Sequence, residues 1–215
     1  MNRLDHSRSP RLGTEDAPAR IVVLASGSGT LFQALLDAAA DSFPARIVAL
    51  ITDRECNAEE RAKESGIPVV RIVPADHPTR EAWNTALAEA VNQHAPDLVV
   101  TAGFMRILGK SFLRACTSSI VNSHPALLPS FPGAHAVRDA LAHGVRVTGT
   151  TVHLVDDGVD TGPILAQEAV PIKPGDTEPG LHERIKEVER RLLIQVVADV
   201  VTRGVVIDGR KAMIP

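Results

Sequence analysis

A regular alternation between short aliphatic runs and helix-patterned stretches narrows what this chain can fold into more than any other feature. Residues 20–25, Arg-Ile-Val-Val-Leu-Ala, form a β-branched run that stops at Ser26-Gly27-Ser28-Gly29-Thr30 and gives way to a helical pattern from Leu31 to near Asp41. Residues 46–51 read as a second buried strand, 58–65 as a helix closed by Gly66, and 69–72 as a third strand. Between Thr79 and His94, Ala82, Trp83, Ala86, Leu87, Ala90 and Val91 recur at the spacing of an amphipathic helix. Residues 97–101 and 119–122 read as the fourth and fifth strands. Strands that are apolar on both faces and separated by helices predict a parallel sheet covered on both sides. The expectation over residues 20–125 is an open, doubly wound α/β arrangement. Ligands of such sheets sit beyond the carboxyl ends of the strands, so the loops after Ala25, Thr101 and Val121 are where chemistry is expected.

The pattern changes after Asn122. A loop rich in Pro and Gly runs from Ser123 to Gly133, followed by a helical segment, 134–143. Two longer extended runs, 147–155 and 164–172, flank the polar stretch Asp156-Asp157-Gly158-Val159-Asp160-Thr161-Gly162-Pro163 and predict an antiparallel pair. A last helix is expected over 179–202 and a short strand over 205–207. The expected fold class is therefore α/β: a doubly wound, mostly parallel sheet extended by antiparallel strands and a long C-terminal helix. It reads as one domain over 20–215, with halves at 20–125 and 126–215, preceded by a polar and disordered tail over 1–19.

The chain has 215 residues, of which 44% are hydrophobic and 23% charged, ordinary values for a soluble protein with one sizeable core. Its net charge of -3 argues against a nucleic-acid partner held by a basic surface. An anionic ligand remains compatible with that charge, since a helix N-terminus can hold a phosphate locally. The N-terminal residues lack the apolar core of a signal peptide, and no run approaches the roughly 20 apolar residues of a membrane span. A cytoplasmic protein with no membrane partner is expected. Cys56 and Cys116 stand at no metal-binding or redox spacing.

Three motifs carry candidate chemistry. Ser26 to Thr30, between a strand and a helix, is built of small residues that let backbone N–H groups approach an anion. It has no Lys after the glycines, and Phe32 stands where a dinucleotide fingerprint needs its third Gly, so a loop for a single phosphate fits best. In Asn122-Ser123-His124-Pro125, side chains two apart at a strand's end can face one cleft. An amide there can donate to a developing oxyanion, and an imidazole can carry a proton near neutral pH. Neither is a strong nucleophile, which suggests direct transfer without a covalent enzyme intermediate. In the third motif, Asp156 to Pro163, the EF-hand pattern fails because no Glu closes it. A carboxylate that orients and charges an imidazole is the better functional reading, with a solvated acidic turn as the alternative for Asp156 and Asp157. His135 and His153 lie near these motifs and are second-rank candidates; His143 and His182 read as surface residues.

Taken together and in order, Ala102-Gly103-Phe104-Met105-Arg106-Ile107-Leu108, Asn122 to Pro129, Thr148-Gly149-Thr150-Thr151-Val152-His153 and Asp160-Thr161-Gly162-Pro163 resemble the glycinamide ribonucleotide formyltransferases, a folate-dependent family of purine synthesis. The resemblance covers residues 20–203. It implies a formyltransferase-like fold with a Rossmann-type first half, 10-formyltetrahydrofolate as co-substrate without a required metal, and glycinamide ribonucleotide as acceptor. It also implies Asn122, His124 and Asp160 as catalytic residues. Gly27, Ser28, Gly29, Thr30 and Leu31 match the loop for the ribonucleotide phosphate, with Lys186 and Glu189 at the glycinamide. Arg80, Met105, Arg106, Ile107 and Leu108, together with Asn122 and the loop Val155, Asp156, Asp157, Gly158, Val159 and Asp160, match the folate contacts. Leu31 departs from the family, which commonly has Asn there; it offers a backbone N–H but no side-chain amide. Two relatives with the same donor, formyltetrahydrofolate hydrolase and methionyl-tRNA formyltransferase, carry extra domains for which this chain is expected to have no room. A non-catalytic folate- or nucleotide-binding module is the remaining alternative, and the oligomeric state is left open, a homodimer included.

Overall fold

The structure, a computed structural model, describes residues 12–40 and 42–215. Its first half is built from strands β1 (Ala19–Ala25), β2 (Ala45–Thr52), β3 (Val69–Arg71), β4 (Leu98–Thr101) and β5 (Ser119–His124), with helices α1 (Thr30–Ala38), α2 (Asn57–Glu64), α3 (Arg80–Gln93) and α4 (Lys110–Ala115) between them. The second half adds α5 (Ala136–His143), β6 (Val147–Leu154), β7 (Ile164–Pro171), α6 (Glu178–Arg203), β8 (Val206–Asp208) and β9 (Lys211–Met213). All strands join one nine-stranded sheet in the order β3-β2-β1-β4-β5-β6-β7-β9-β8. The first five run parallel, β6 pairs antiparallel with both β5 and β7, and the expected mostly parallel, doubly wound sheet is found.

Period-two alternation explains how the sheet is covered. On β1, Ile21, Val23 and Ala25 face one apolar layer with Phe32, Leu35 and the stripe Leu193, Val196, Val197 and Val200 of α6. Val22 and Leu24 face the other, with Trp83, Leu87 and Val91 of α3 and Phe112 of α4. Both layers are fully buried at these strand positions, which is why the runs read as continuously apolar. Helix α6, 26 residues long and so about 39 Å in length, starts at Thr177, whose side chain accepts from Gly180 N. It lies against both halves, touching α1, β6 and β7.

Several boundaries differ from the sequence reading. Helix α1 ends at Ala38, and Asp41 lies outside the described residues. Helix α4 and strand β9 were not expected: α4 is a six-residue helix, and Lys211–Met213 shows no alternation a strand reading could use. Of the tail expected over 1–19, residues 1–11 lie outside the described residues. Leu12 and Gly13 both donate to Val201 O, at 2.7 and 3.0 Å, and Ala19 opens β1. Among the described residues no helix is long and apolar enough to cross a membrane.

Candidate active site

The carboxyl ends of β1, β2, β4 and β5 lie side by side, so the loops leaving them share one edge of the sheet. After β1 the chain turns through Gly29 at φ +70°, where an added Cβ would lie 2.8 Å from Ala58 Cα. Helix α2 holds this loop from behind: Ala58 N donates to Gly27 O at 3.2 Å and Arg61 Nε to Ser28 O at 3.0 Å. No side chain caps α1, so its first amides can receive an anion. Leu31 is buried in the core and presents only its backbone, as its apolar side chain requires.

After β4, residues 103–108 run with alternating orientation. Met105 and Ile107 are exposed large apolar side chains, at 65% and 60%. Phe104 turns inward and stacks on Trp83 with ring centres 6.5 Å apart. Arg106 turns to Asp53, with Nε 2.7 Å from Oδ2, and Leu108 is buried. Of the expected folate segment, then, the side chains of Met105 and Ile107 face outward, while those of Arg106 and Leu108 do not. Arg80 lies over the Trp83 ring and donates to Ile107 O, which places its cation at this segment's edge.

Asn122, His124 and Asp160 come together at the end of β5. Asn122 stands opposite His153 in the β5–β6 ladder, and its Nδ2 is 3.1 Å from His153 Nε2. His153 Nδ1 lies 2.9 Å from Leu154 O. A carbonyl only accepts, so Nδ1 carries the proton. Burial pushes this imidazole below its ordinary pKa, against the raising effects of the Leu154 carbonyl and Asp160. The ring is therefore neutral and Nε2 is an acceptor. The Asn122 amide donates to it and accepts through Oδ1 from the Thr101 hydroxyl. Both ends of the amide are thus assigned, and one Nδ2–H is left to point elsewhere. His153 ranked second in the sequence; its role follows from strand register, which the sequence does not display.

His124 is almost wholly buried. Its Nε2 is 2.8 Å from Phe131 O, and its Nδ1 is 3.4 Å from Asp160 Oδ2. An imidazolium would donate on both sides, whereas a neutral ring of either tautomer would turn a lone pair toward one of these two oxygens. Asp160 Oδ2 also accepts from Gly133 N at 2.7 Å, and Oδ1 lies 3.7 Å from His153 Nε2. The Asp160 backbone is left-handed, at φ +53°. Asp156 holds the loop in shape by accepting from Gly158 N at 3.1 Å and Thr161 Oγ1 at 2.6 Å; Asp157 and Val159 are exposed.

Ser123, on the opposite side of β5 from Asn122 and His124, donates to Glu189 Oε1 at 2.7 Å. Burial pushes the Glu189 carboxyl above its ordinary range, only partly offset by Ser123 and nearby cations. Lys186, one turn earlier on α6, pairs with Glu183 at 2.7 Å. His135 is exposed at the start of α5, away from these bonds. Among the described residues, no group of His, Cys, Asp and Glu is arranged to hold a metal ion.

The arrangement pairs an oriented amide donor with a carboxylate-backed imidazole, beside an anion-ready loop and an apolar segment. The formyl transferase family matches residues 19–197 of this chain, and the chain belongs to that family. Among its relatives, phosphoribosylglycinamide formyltransferase of Mycobacterium tuberculosis (strain ATCC 25618 / H37Rv) is 60% identical over 91% of both chains. The trifunctional purine biosynthetic protein adenosine-3 of Bos taurus is 43% identical over 84% of this chain and 18% of its own length. The crystal structure of glycinamide ribonucleotide transformylase 1 from Symbiobacterium toebii superposes with a TM-score of 0.89, at 43% identity over 92% of this chain and 94% of that one.

Proposed function

We propose that this protein transfers the formyl group of 10-formyltetrahydrofolate to the amine of glycinamide ribonucleotide, a step of purine biosynthesis carried out in the cytoplasm. The observation that carries the reading is the fixed amide of Asn122 beside the His124–Asp160 pair. The names of the relatives supply the acceptor and the transferred formyl group, and the folate donor is what the resemblance of the motifs implies. Gly27 to Thr30 and the Leu31 backbone receive the phosphate, with Lys186 and Glu189 at the glycinamide. Met105 and Ile107, the backbones of Arg106 and Leu108, Arg80 and the loop from Val155 to Asp160 enclose the folate.

When the amine attacks the formyl carbon, the carbonyl oxygen gains negative charge. The free Nδ2–H of Asn122 donates to it, and the His124 imidazolium donates once its Nε2–H turns from Phe131 O to the oxyanion. Asp160, 3.4 Å from Nδ1, orients that ring and sets a negative charge behind it. As the carbon–nitrogen bond to the folate breaks, His124 or a held water passes a proton to the departing nitrogen, and the attacking amine loses one. A donor at an oxyanion is worth about 2.7–4 kcal/mol, and holding two reactants together can supply as much again, so the two loops matter as much as the centre.

The test follows tetrahydrofolate release by absorbance, with and without glycinamide ribonucleotide. Product only in its presence is expected. Product without it would make the protein a hydrolase, and none in either case would leave a binding module.

A further inference from the structure

We propose that Asp53 is a positioning residue that fastens the ribonucleotide loop to the folate segment, so that the two substrates are gripped in register. Three buried acidic side chains are present among the described residues: Asp53, Glu59 and Glu189. Glu189 belongs to the site. Glu59 accepts from Thr52 and Arg71 and ties α2 to the β2–β3 edge. Asp53 has neither use, yet its side chain is wholly buried just past the carboxyl end of β2, on the edge of the sheet that carries these loops.

Its bonds form a ring across three neighbouring strand ends. From just beyond β1, the Ser26 hydroxyl faces Asp53 and helps to hold its carboxyl down. The hydroxyl oxygen accepts from Met105 N at 2.9 Å, and Ser26 N donates to Gly103 O at 3.2 Å. From beyond β4, Arg106 Nε returns to Asp53 Oδ2 at 2.7 Å. Ser26 directly precedes the glycines of the phosphate loop, and Arg106 lies between the two exposed apolar residues of the folate segment. A shift of either would be passed to the other through this carboxylate. Arg54 also bonds Asp53, at 2.9 Å, but belongs to neither loop.

Burial alone would push the Asp53 carboxyl up; the bonds from Arg54, Ser26 and Arg106 outweigh this and hold it below the usual carboxylate range. The ring is therefore complete throughout the neutral range. The turn of Arg106 away from the exposed side of its segment has the same explanation: its guanidinium anchors the segment and leaves the contacts to its neighbours.

The inference rests on the assignment of the two loops to the two substrates. That assignment has its own control in Arg80→Met, which removes no bond to Asp53 and should raise KM for the folate alone. Steady-state kinetics of Asp53→Ala should show both KM values raised about tenfold, with kcat within about twofold, since loosened binding loops weaken ground state and transition state alike. Asp53→Asn, which still accepts from Ser26 and Arg106, should recover most of the loss. Should Asp53→Ala not fold, Arg106→Met and Arg54→Met decide: the first should raise KM and the second should leave both values unchanged. An Asp53→Ala protein with both KM values intact, or with only kcat reduced, would overturn the proposal. So would an effect of Arg54→Met equal to that of Arg106→Met, because charge balance rather than the link would then be responsible.

Discussion

At the end of β1 the chain offers a ligand its backbone; at the end of β5 it offers side chains. The glycine loop there, proposed to hold the phosphate, presents amides at an uncapped helix start, braced from behind by Ala58 and Arg61. The centre at Asn122 presents an amide whose two ends are fixed by Thr101 and His153, and an imidazole held between Phe131 O and Asp160. Backbone recognition is indifferent to most side-chain identities, but it fails when a Cβ blocks the turn. Side-chain chemistry tolerates backbone variation nearby and fails when one hydrogen-bond partner is lost. Leu31 illustrates the first: its side chain is in the core, and its N–H is as available as that of any other residue.

The contrast predicts different signatures for changes in the two regions. The largest effect is expected for Asp160→Asn, which keeps the loop and loses the charge behind His124. Folate binding should persist while kcat falls by about 10²- to 10⁴-fold. Wild-type turnover in this variant would remove Asp160 from the centre. Gly29→Val should act on binding: a Cβ 2.8 Å from Ala58 at φ +70° forces the turn apart, with a stability loss of about 1–3 kcal/mol and a KM for the ribonucleotide raised about tenfold or more. An unchanged KM would show that the loop does not hold the phosphate. Thr101→Val should release the Asn122 amide and lower kcat about tenfold, a fraction of the value of a whole oxyanion donor, with both KM values steady.

The smallest effect is expected for Glu189→Gln. Burial holds the folded pKa of Glu189 above its unfolded value, so its ionisation costs stability increasingly as pH rises from the unfolded value through the folded one. Removing the carboxyl should raise Tm at pH 8 and leave it unchanged near pH 4, while KM for the ribonucleotide increases. A lower Tm at pH 8 would mean the carboxylate is stabilised by partners beyond Ser123.

The sequence showed most of the parallel half because its strands are buried on both faces, so runs such as Ile21 to Ala25 could be read without knowing their neighbours. Asn122 and His124 were legible for a related reason, since alternation on a single strand puts them on one side. His153 and Thr101 were not, because each acts across a strand pairing whose register only the folded sheet defines. The same holds for Asp53: nothing near it in sequence announces that the ends of three strands converge on its carboxylate. Helix α4 escaped because six residues are too few to establish a helical period.

The left-handed backbone at Asp160 narrows what can be learned by mutating it. Asp and Asn are among the few side-chain-bearing residues that adopt this conformation readily. A Glu would keep the charge but strain the turn and overshoot His124, and an Ala would remove the charge and strain the turn together. Only Asn separates electrostatics from geometry at this position, so a survey of all nineteen replacements would score nearly every one as dead for mixed reasons, and the informative comparison would be a single pair.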